Sequence, residues 1–164
     1  MKHIRLSIRQ INMVLAAVVA VLLVLCVMSV WSPIRFDRER TAREADVKRR
    51  LLLVRAAAER YRHDHGAYTG RLQCLVDSGY LADSLQYIPH SGGHRFALEA
   101  SVAATRSGRM VPVMECSATY ADYLHGLDAG SIAELDQAAA AAGRFPGLKI
   151  GDLAAPGDNS GNWE

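Results

Sequence analysis

The stretch "LLLVRAAAERYRHDHGAYTGRLQCLVDSGYL", residues 51–81, decides how the chain is organised. Val47, Leu51, Val54, Ala58 and Tyr61 recur at steps of four and three, which places them on one stripe of a helix. Leu52, Leu53, Ala56 and Ala57 broaden that stripe, while Arg49, Arg50, Arg55, Glu59, Arg60 and Arg62 fall largely outside it and are expected to face water. Asp46 and Arg50 form an acid-to-base pair at a spacing of four, worth roughly 0.2–0.5 kcal/mol. The pattern predicts a helix from Phe36 to His65, and Gly66 offers the left-handed residue that ends it. Two heptads are too few to specify a coiled coil, so the stripe is read as packing on the chain's own core. Leu72–Ser78 then reads as a short helix with Leu72, Leu75 and Val76 inward and Gly79 as its stop.

Upstream, "INMVLAAVVAVLLVLCVMSVW" carries no charge from Ile11 to Trp31. About twenty helical residues at about 1.5 Å each span about 30 Å, the thickness of a bilayer's hydrocarbon. A helix satisfies its own backbone hydrogen bonds, so it can cross where water is absent. Trp31 suits the interface, and Pro33, just past the run, suits a helix break or kink. A cleaved secretory signal would carry an apolar region of about 7–15 residues and a small-x-small site. This run is longer, and its end, "VMSVWSP", offers no such site. The expected organisation is a basic flank at 1–10, a transmembrane helix at 11–31, a neck helix at 32–65 and a small head at 66–164.

The formal net charge of +2 hides a division. Residues 35–65 carry ten Lys/Arg against six Asp/Glu, and residues 66–164 carry six against eleven. A basic stem therefore precedes an acidic head. Acids interleave with the bases of the stem and no aromatic platform accompanies them, which argues against nucleic-acid binding. A solvated charged face is favoured over headgroup binding for the same reason. Lys2, Arg5 and Arg9 precede the span, and Arg35, Arg38, Arg40 and Arg43 follow it, so charge alone leaves orientation open.

In the head, Ser91-Gly92-Gly93 is a turn signal between "LQYI" and "RFALEAS", which predicts a hairpin or two short strands. "GRMVPVMECSA" reads as another strand, with Pro112 pushing it, or that end of it, to a sheet edge. "SIAELDQAAAAAG" reads as a helix with Ser131 as N-cap, Glu134 closing a capping box and Gly143 as the stop. The tail reads as loop with a short strand at Leu148–Ile150. The fold class is α+β: a long helix packed on a small antiparallel sheet, with a late helix and a C-terminal loop.

Chemistry is sparse. His63 and His65 lie about 200° apart on a helix and cannot grip one metal there. His90 and His94 flank a glycine turn, where solvated side chains are ordinary. Cys26 lies in the apolar run as a small hydrophobe. Cys74 and Cys116 form a possible disulfide if the head is exported, or else two buried thiols. Asp152, Asp158, Asn159 and Asn162 supply the hard oxygens calcium prefers, although such residues also build turns. No nucleophile elbow, phosphate loop or H-E-x-x-H is present, so no catalytic residue, cofactor or metal site is assigned and an enzyme is not expected.

The order of elements resembles the type IV pilins and type II secretion pseudopilins. The most specific likeness is "VRAAAERYRHDHGAYTGRLQCLVDSGYL", Val54 to Leu81, which is similar to the family's helix end with its Gly-x-Tyr segment and following "sL..L...gyl" run. The ending "GNWE" is similar to that of the major pseudopilin, whose C-terminal loop holds calcium. The chain has no Gly before the span and no acid in residues 1–36, so the family's processing site and early Glu are missing. The resemblance implies a single-pass structural subunit of a secretion or surface-filament apparatus, anchored in a bacterial inner membrane. Its head would lie in the periplasm or outside the cell, and its partners would be other pilin-like subunits, assembly proteins and lipid. The alternative expectation is a bitopic adaptor or regulator whose head binds a partner protein or ligand outside any filament.

Overall fold

The computed structural model describes the backbone of residues 8–164; residues 1–7 and the side chains of residues 8, 10 and 27–33 lie outside the description. Lys2, Arg5 and the interface role of Trp31 therefore fall outside the described residues. One helix, α1, runs from Ile8 to His65. It is assigned without interruption through Pro33, where a break or kink is the sequence expectation. A proline removes one backbone bond of a helix, and the turns on either side can hold the remainder. The chain divides into two compact units, Met1–Glu39 and Arg40–Glu164.

In the first unit every residue from Ile11 to Cys26 is exposed. In the second, α1 contributes a buried stripe. Val47, Leu51 and Val54 are 0% exposed, and Ala57 and Ala58 are buried with them. Each buried Val or Leu side chain contributes about 1.5–3 kcal/mol by leaving water. The apolar face is narrower than the sequence suggests: Leu52 and Leu53 are 36% and 46% exposed, and Ala56 is exposed too. Those three residues are rotated by about 100–200° from Leu51 or Val54, beyond the arc a single packed face covers. The helix ends at His65, and Gly66 takes the left-handed conformation at φ 77°.

Helix α2, Leu72–Asp77, buries Leu72 and Leu75, and Gly79 follows at φ 76°. The predicted strand at "LQYI" is instead a 3₁₀ turn, Asp83–Gln86. The Ser91-Gly92-Gly93 reversal forms as expected, but it is closed by a single bridge, Tyr87 to Arg95. Strand β1, Ala97–Ala104, pairs antiparallel with β2, Met110–Thr119, and β2 pairs antiparallel with β3, Gly147–Gly151. The sheet order β1-β2-β3 makes β2 central. Pro112 is tolerated because β3 reaches only Glu115–Thr119, so that end of β2 has one neighbour. Phe96, Leu98, Met114, Cys116, Ala118 and Ile150 join the α1 stripe in the core.

A short helix missing from the sequence reading, α3 at Tyr120–Tyr123, follows β2 and is closed by a Thr119–Asp122 capping box. Helix α4 runs from Ala129 to Ala141. Its N-cap is Asp128, not Ser131: both the backbone N–H and the hydroxyl of Ser131 donate to Asp128 Oδ2, at 2.8 and 2.9 Å. Ser131 is thus the third helical residue, and Glu134 plays no part in the cap.

Candidate functional site

The described part of the uncharged run, residues 11–26, is exposed throughout; Met13 is 70% exposed and Leu23 62%. Sixteen helical residues reach about 24 Å, short of the roughly 30 Å of a bilayer core. Among the described residues no helix is long and apolar enough to cross a membrane. The remaining apolar positions of the run, from Val27 to Trp31, are those whose side chains lie outside the description.

The basic stem proves to be a set of clamps within the head. Arg43 Nη1 donates to the carbonyls of Tyr123 and His125, at 3.2 and 2.9 Å. Arg50 Nη1 donates to those of Ser84 and Tyr87, at 3.1 and 2.7 Å. Arg55 Nη1 reaches the Asn159 carbonyl at 3.2 Å and the Glu164 carboxylate at 3.3 Å. The expected Asp46–Arg50 pair is absent because Arg50 is engaged there; Asp46 pairs with Arg49 at 2.6 Å and meets His90 at 3.2 Å. Loop carbonyls have no helical partner, and a guanidinium with five donors can serve several at once.

One turn further along α1, Glu59 anchors the tail. Tyr68 donates its hydroxyl to Glu59 Oε1 at 2.6 Å, Asn159 Nδ2 donates to the Tyr68 oxygen at 2.7 Å, and Asn159 Nδ2 also donates to Glu59. Arg62 pairs with the other Glu59 oxygen at 2.8 Å and lies over the Tyr68 ring. Burial, then the bond to Glu59, pushes the Tyr68 hydroxyl up to about 12. Asn159 is buried with φ 56°, a conformation asparagine accepts more readily than most residues. The Tyr68 of the Gly-x-Tyr segment is therefore a fastening point for the C-terminal loop.

A groove of about 670 Å³ lies between α1, α4 and the turn that enters β3. Arg40, Glu44 and Lys48 form its α1 wall, and Leu135, Ala138 and Ala139 its α4 wall. Three of its cations sit over three of its aromatic rings: Arg40 over Tyr120 at 5.8 Å, Lys48 over Trp163 at 5.7 Å and Lys149 over Phe145 at 6.0 Å. Glu44 accepts from Arg40 Nε at 2.8 Å and stands 3.9 Å from Lys48. Lys149 pairs with Glu115 at 2.8 Å. Arg144 also lines the groove and is exposed, with no ion pair among the described residues. Tyr123, three residues after Tyr120 of the groove, is fully buried, its hydroxyl without a hydrogen-bond partner among the described residues, and burial followed by the nearby Glu44 holds that hydroxyl well above its ordinary value.

The residues singled out from sequence are dispersed. His63 meets Asp64 at 2.9 Å, whereas His65 stacks on Tyr61. The bond from His63 and a second from Tyr80 hold the Asp64 carboxyl below its usual range. His90 and His94 are not simply solvated: each meets a carboxylate, Asp46 at 3.2 Å and Asp122 at 3.0 Å. Burial raises Asp122, but the bonds from His94 and Thr119 outweigh it and leave the carboxyl lowered. Cys74 on α2 and Cys116 on β2 are free thiols; burial pushes the Cys116 thiol far up and keeps it protonated. Of the calcium candidates, Asp152 and Asp158 accept from Ala154 and Ser160 N–H groups, and Asn162 bonds Lys149 and Gly147. No group of three or more His, Cys, Asp or Glu fit to hold a metal occurs among the described residues. Compared with protein-family models, curated proteins and solved structures, the chain matches none.

Proposed function

We propose that the chain is a single-pass, pilin-like or pseudopilin-like structural subunit of an envelope secretion or surface-filament apparatus, and that it acts by assembly. One observation carries the reading: a single helix, Ile8–His65, exposes an apolar surface over residues 13–26 and buries Val47, Leu51 and Val54 in the core of an α+β head. Leaving that many Val and Leu side chains in water costs tens of kcal/mol at about 1.5–3 kcal/mol each. Lipid, or the equivalent helices of neighbouring subunits, is the environment that removes the cost. The resemblance to pilins supports the inner membrane as its location, with the head outside the cytoplasm. The exposed Leu52, Leu53 and Ala56 add a second apolar face for a neighbour.

Disulfide cross-linking tests the reading. Single cysteines at Leu53 and Val21, with Cys26 and Cys74 replaced by Ser and Cys116 by Ala, should give dimers and higher ladders in membranes. Val47 and Leu51, buried in the head, should not cross-link. A single discrete product with a different protein at both sites would instead support the second reading, a bitopic adaptor, which the cationic groove of the head favours. Absence of any product with a membrane-permeant oxidant would contradict assembly.

A further inference from the structure

We infer that the groove between α1 and α4 is a binding site for an acidic peptide segment of a partner protein, held by carboxylates spaced along an extended chain. Four cations line it, Arg40, Lys48, Arg144 and Lys149, against one carboxylate, Glu44. Its volume of about 670 Å³ falls within the range of roughly 300–1,000 Å³ that ligand sites occupy. The ring beneath each of three cations restricts where the charge can go, which lowers the ordering cost of binding. Unspent donors remain: Arg144 has no partner among the described residues, Lys48 stands 3.9 Å from Glu44, beyond hydrogen-bond distance, and one ion-pair bond of Lys149 leaves two of its protons.

The arrangement selects a peptide over a compact polyanion. Arg40 and Lys48 both face the Glu44 carboxylate, at 2.8 and 3.9 Å, whereas Arg144 and Lys149 are carried by the turn after α4 and by β3. An extended chain, rising roughly 3.3 Å per residue, can place separate carboxylates at the two groups. The part of α4 that lines the groove is its second half, from Leu135 to Ala139, followed by Gly143. A helix C-terminus carries partial negative charge, which disfavours a concentrated phosphate there and tolerates side-chain carboxylates paired with their own cations. Tyr120, Phe145, Trp163 and Leu135 provide the surface for the apolar side chains between those carboxylates.

Trp163 in the wall makes the site observable. The full chain with Trp31→Phe, in neutral-detergent micelles at low salt, is titrated with a capped ten-residue peptide of alternating Glu and Leu while Trp163 emission is followed. A saturable change is expected, weakened at least tenfold by Arg144→Glu and by Lys48→Glu, and several-fold on raising salt to about 0.5 M. Arg144 is exposed, so its variant keeps the fold should Lys48→Glu disturb it; circular dichroism checks both. The Gln-Leu peptide, inorganic phosphate and phosphatidylglycerol vesicles are the comparison arms. No saturation by the acidic peptide at millimolar concentration overturns the inference. So does an equal response to any comparison probe, or an affinity that Arg144→Glu leaves unchanged.

Discussion

Replacing Tyr68 by Phe removes one oxygen from the fastening of the tail and leaves the ring in place. That oxygen donates to Glu59 at 2.6 Å and accepts from Asn159 at 2.7 Å. A hydrogen bond to a charged partner contributes roughly 1.5–3 kcal/mol. Neither partner is orphaned, because Asn159 still donates to Glu59, and Glu59 keeps Arg62 at 2.8 Å and partial access to water. The expected loss is therefore about 1–2 kcal/mol, at the low end of that range. Glu59→Ala leaves the Tyr68 hydroxyl without its acceptor and the Asn159 amide with the Tyr68 oxygen alone, and it removes the partner of Arg62, so it should cost more, about 2–4 kcal/mol. Urea unfolding of the full chain in neutral detergent, followed by Trp163 emission with Trp31→Phe, measures both. A pH series adds an independent signature. The folded hydroxyl titrates at about 12, above the ordinary 10.0, so its contribution is complete below pH 10 and disappears as pH rises toward 12. Tyr68→Phe should lose stability less steeply over that interval, the remainder coming from Tyr123 and Tyr80, whose hydroxyls are also raised. A Tyr68→Phe chain as stable as the parent at neutral pH, with the same alkaline decline, refutes the reasoning.

Neighbouring leucines of α1 should diverge. Leu51→Ala, at 0% exposure, should cost about 3–5 kcal/mol, and Leu53→Ala, at 46%, less than about 1 kcal/mol, by the same unfolding measurement. Acid should destabilise the head. Asp64, Asp122, Asp128 and Asp158 are all held below their usual range, so the folded chain resists protons that the unfolded chain binds, and stability should fall from about pH 5 downward. Equal midpoints at pH 7 and pH 4 would contradict that balance. Gly151→Ala should cost at least about 2 kcal/mol, because Gly151 sits at φ 73° and a Cβ there would strike the Met114 carbonyl; an unchanged unfolding midpoint would disprove the β2–β3 contact.

Local signals carried much of the architecture. The steps of four and three around Leu51, the glycines at 66, 79 and 143, and the strand from Met110 each report a backbone preference that neighbouring residues satisfy by themselves. The misread places have equally local causes. Asp128-Ala-Gly-Ser131 contains two cap residues three apart, and Ser131 looks the better cap only if the helix is denied Gly130 in its first turn. The Thr119–Asp122 box was present in the sequence but follows a strand directly, where a four-residue helix has no periodicity to announce it. "LQYI" has the composition of a strand but gains only one bridge, and Gln86 turns into the core instead. The sites were hardly legible. Glu59, Tyr68 and Asn159 meet across separations of up to 100 residues, and no spacing rule connects them. The groove draws on α1, α4, β3 and the tail; the regular spacing of Arg40, Glu44 and Lys48 was visible, but which face of α1 they would wall was not. The basic stem misled for the same reason, since the carbonyls that Arg43, Arg50 and Arg55 reach lie 34 to 104 residues away.

The account turns on what surrounds residues 11–31. The most direct measurement is thiol labelling of single cysteines placed along that run, in membranes carrying the full chain with Cys26 and Cys74 replaced by Ser and Cys116 by Ala. Labelling by a charged maleimide should fail from Val14 to about Leu25 and return at Ile34 and beyond, and the chain should stay with the membrane pellet at alkaline pH. Uniform labelling through the run, with the chain released to the supernatant, would contradict it.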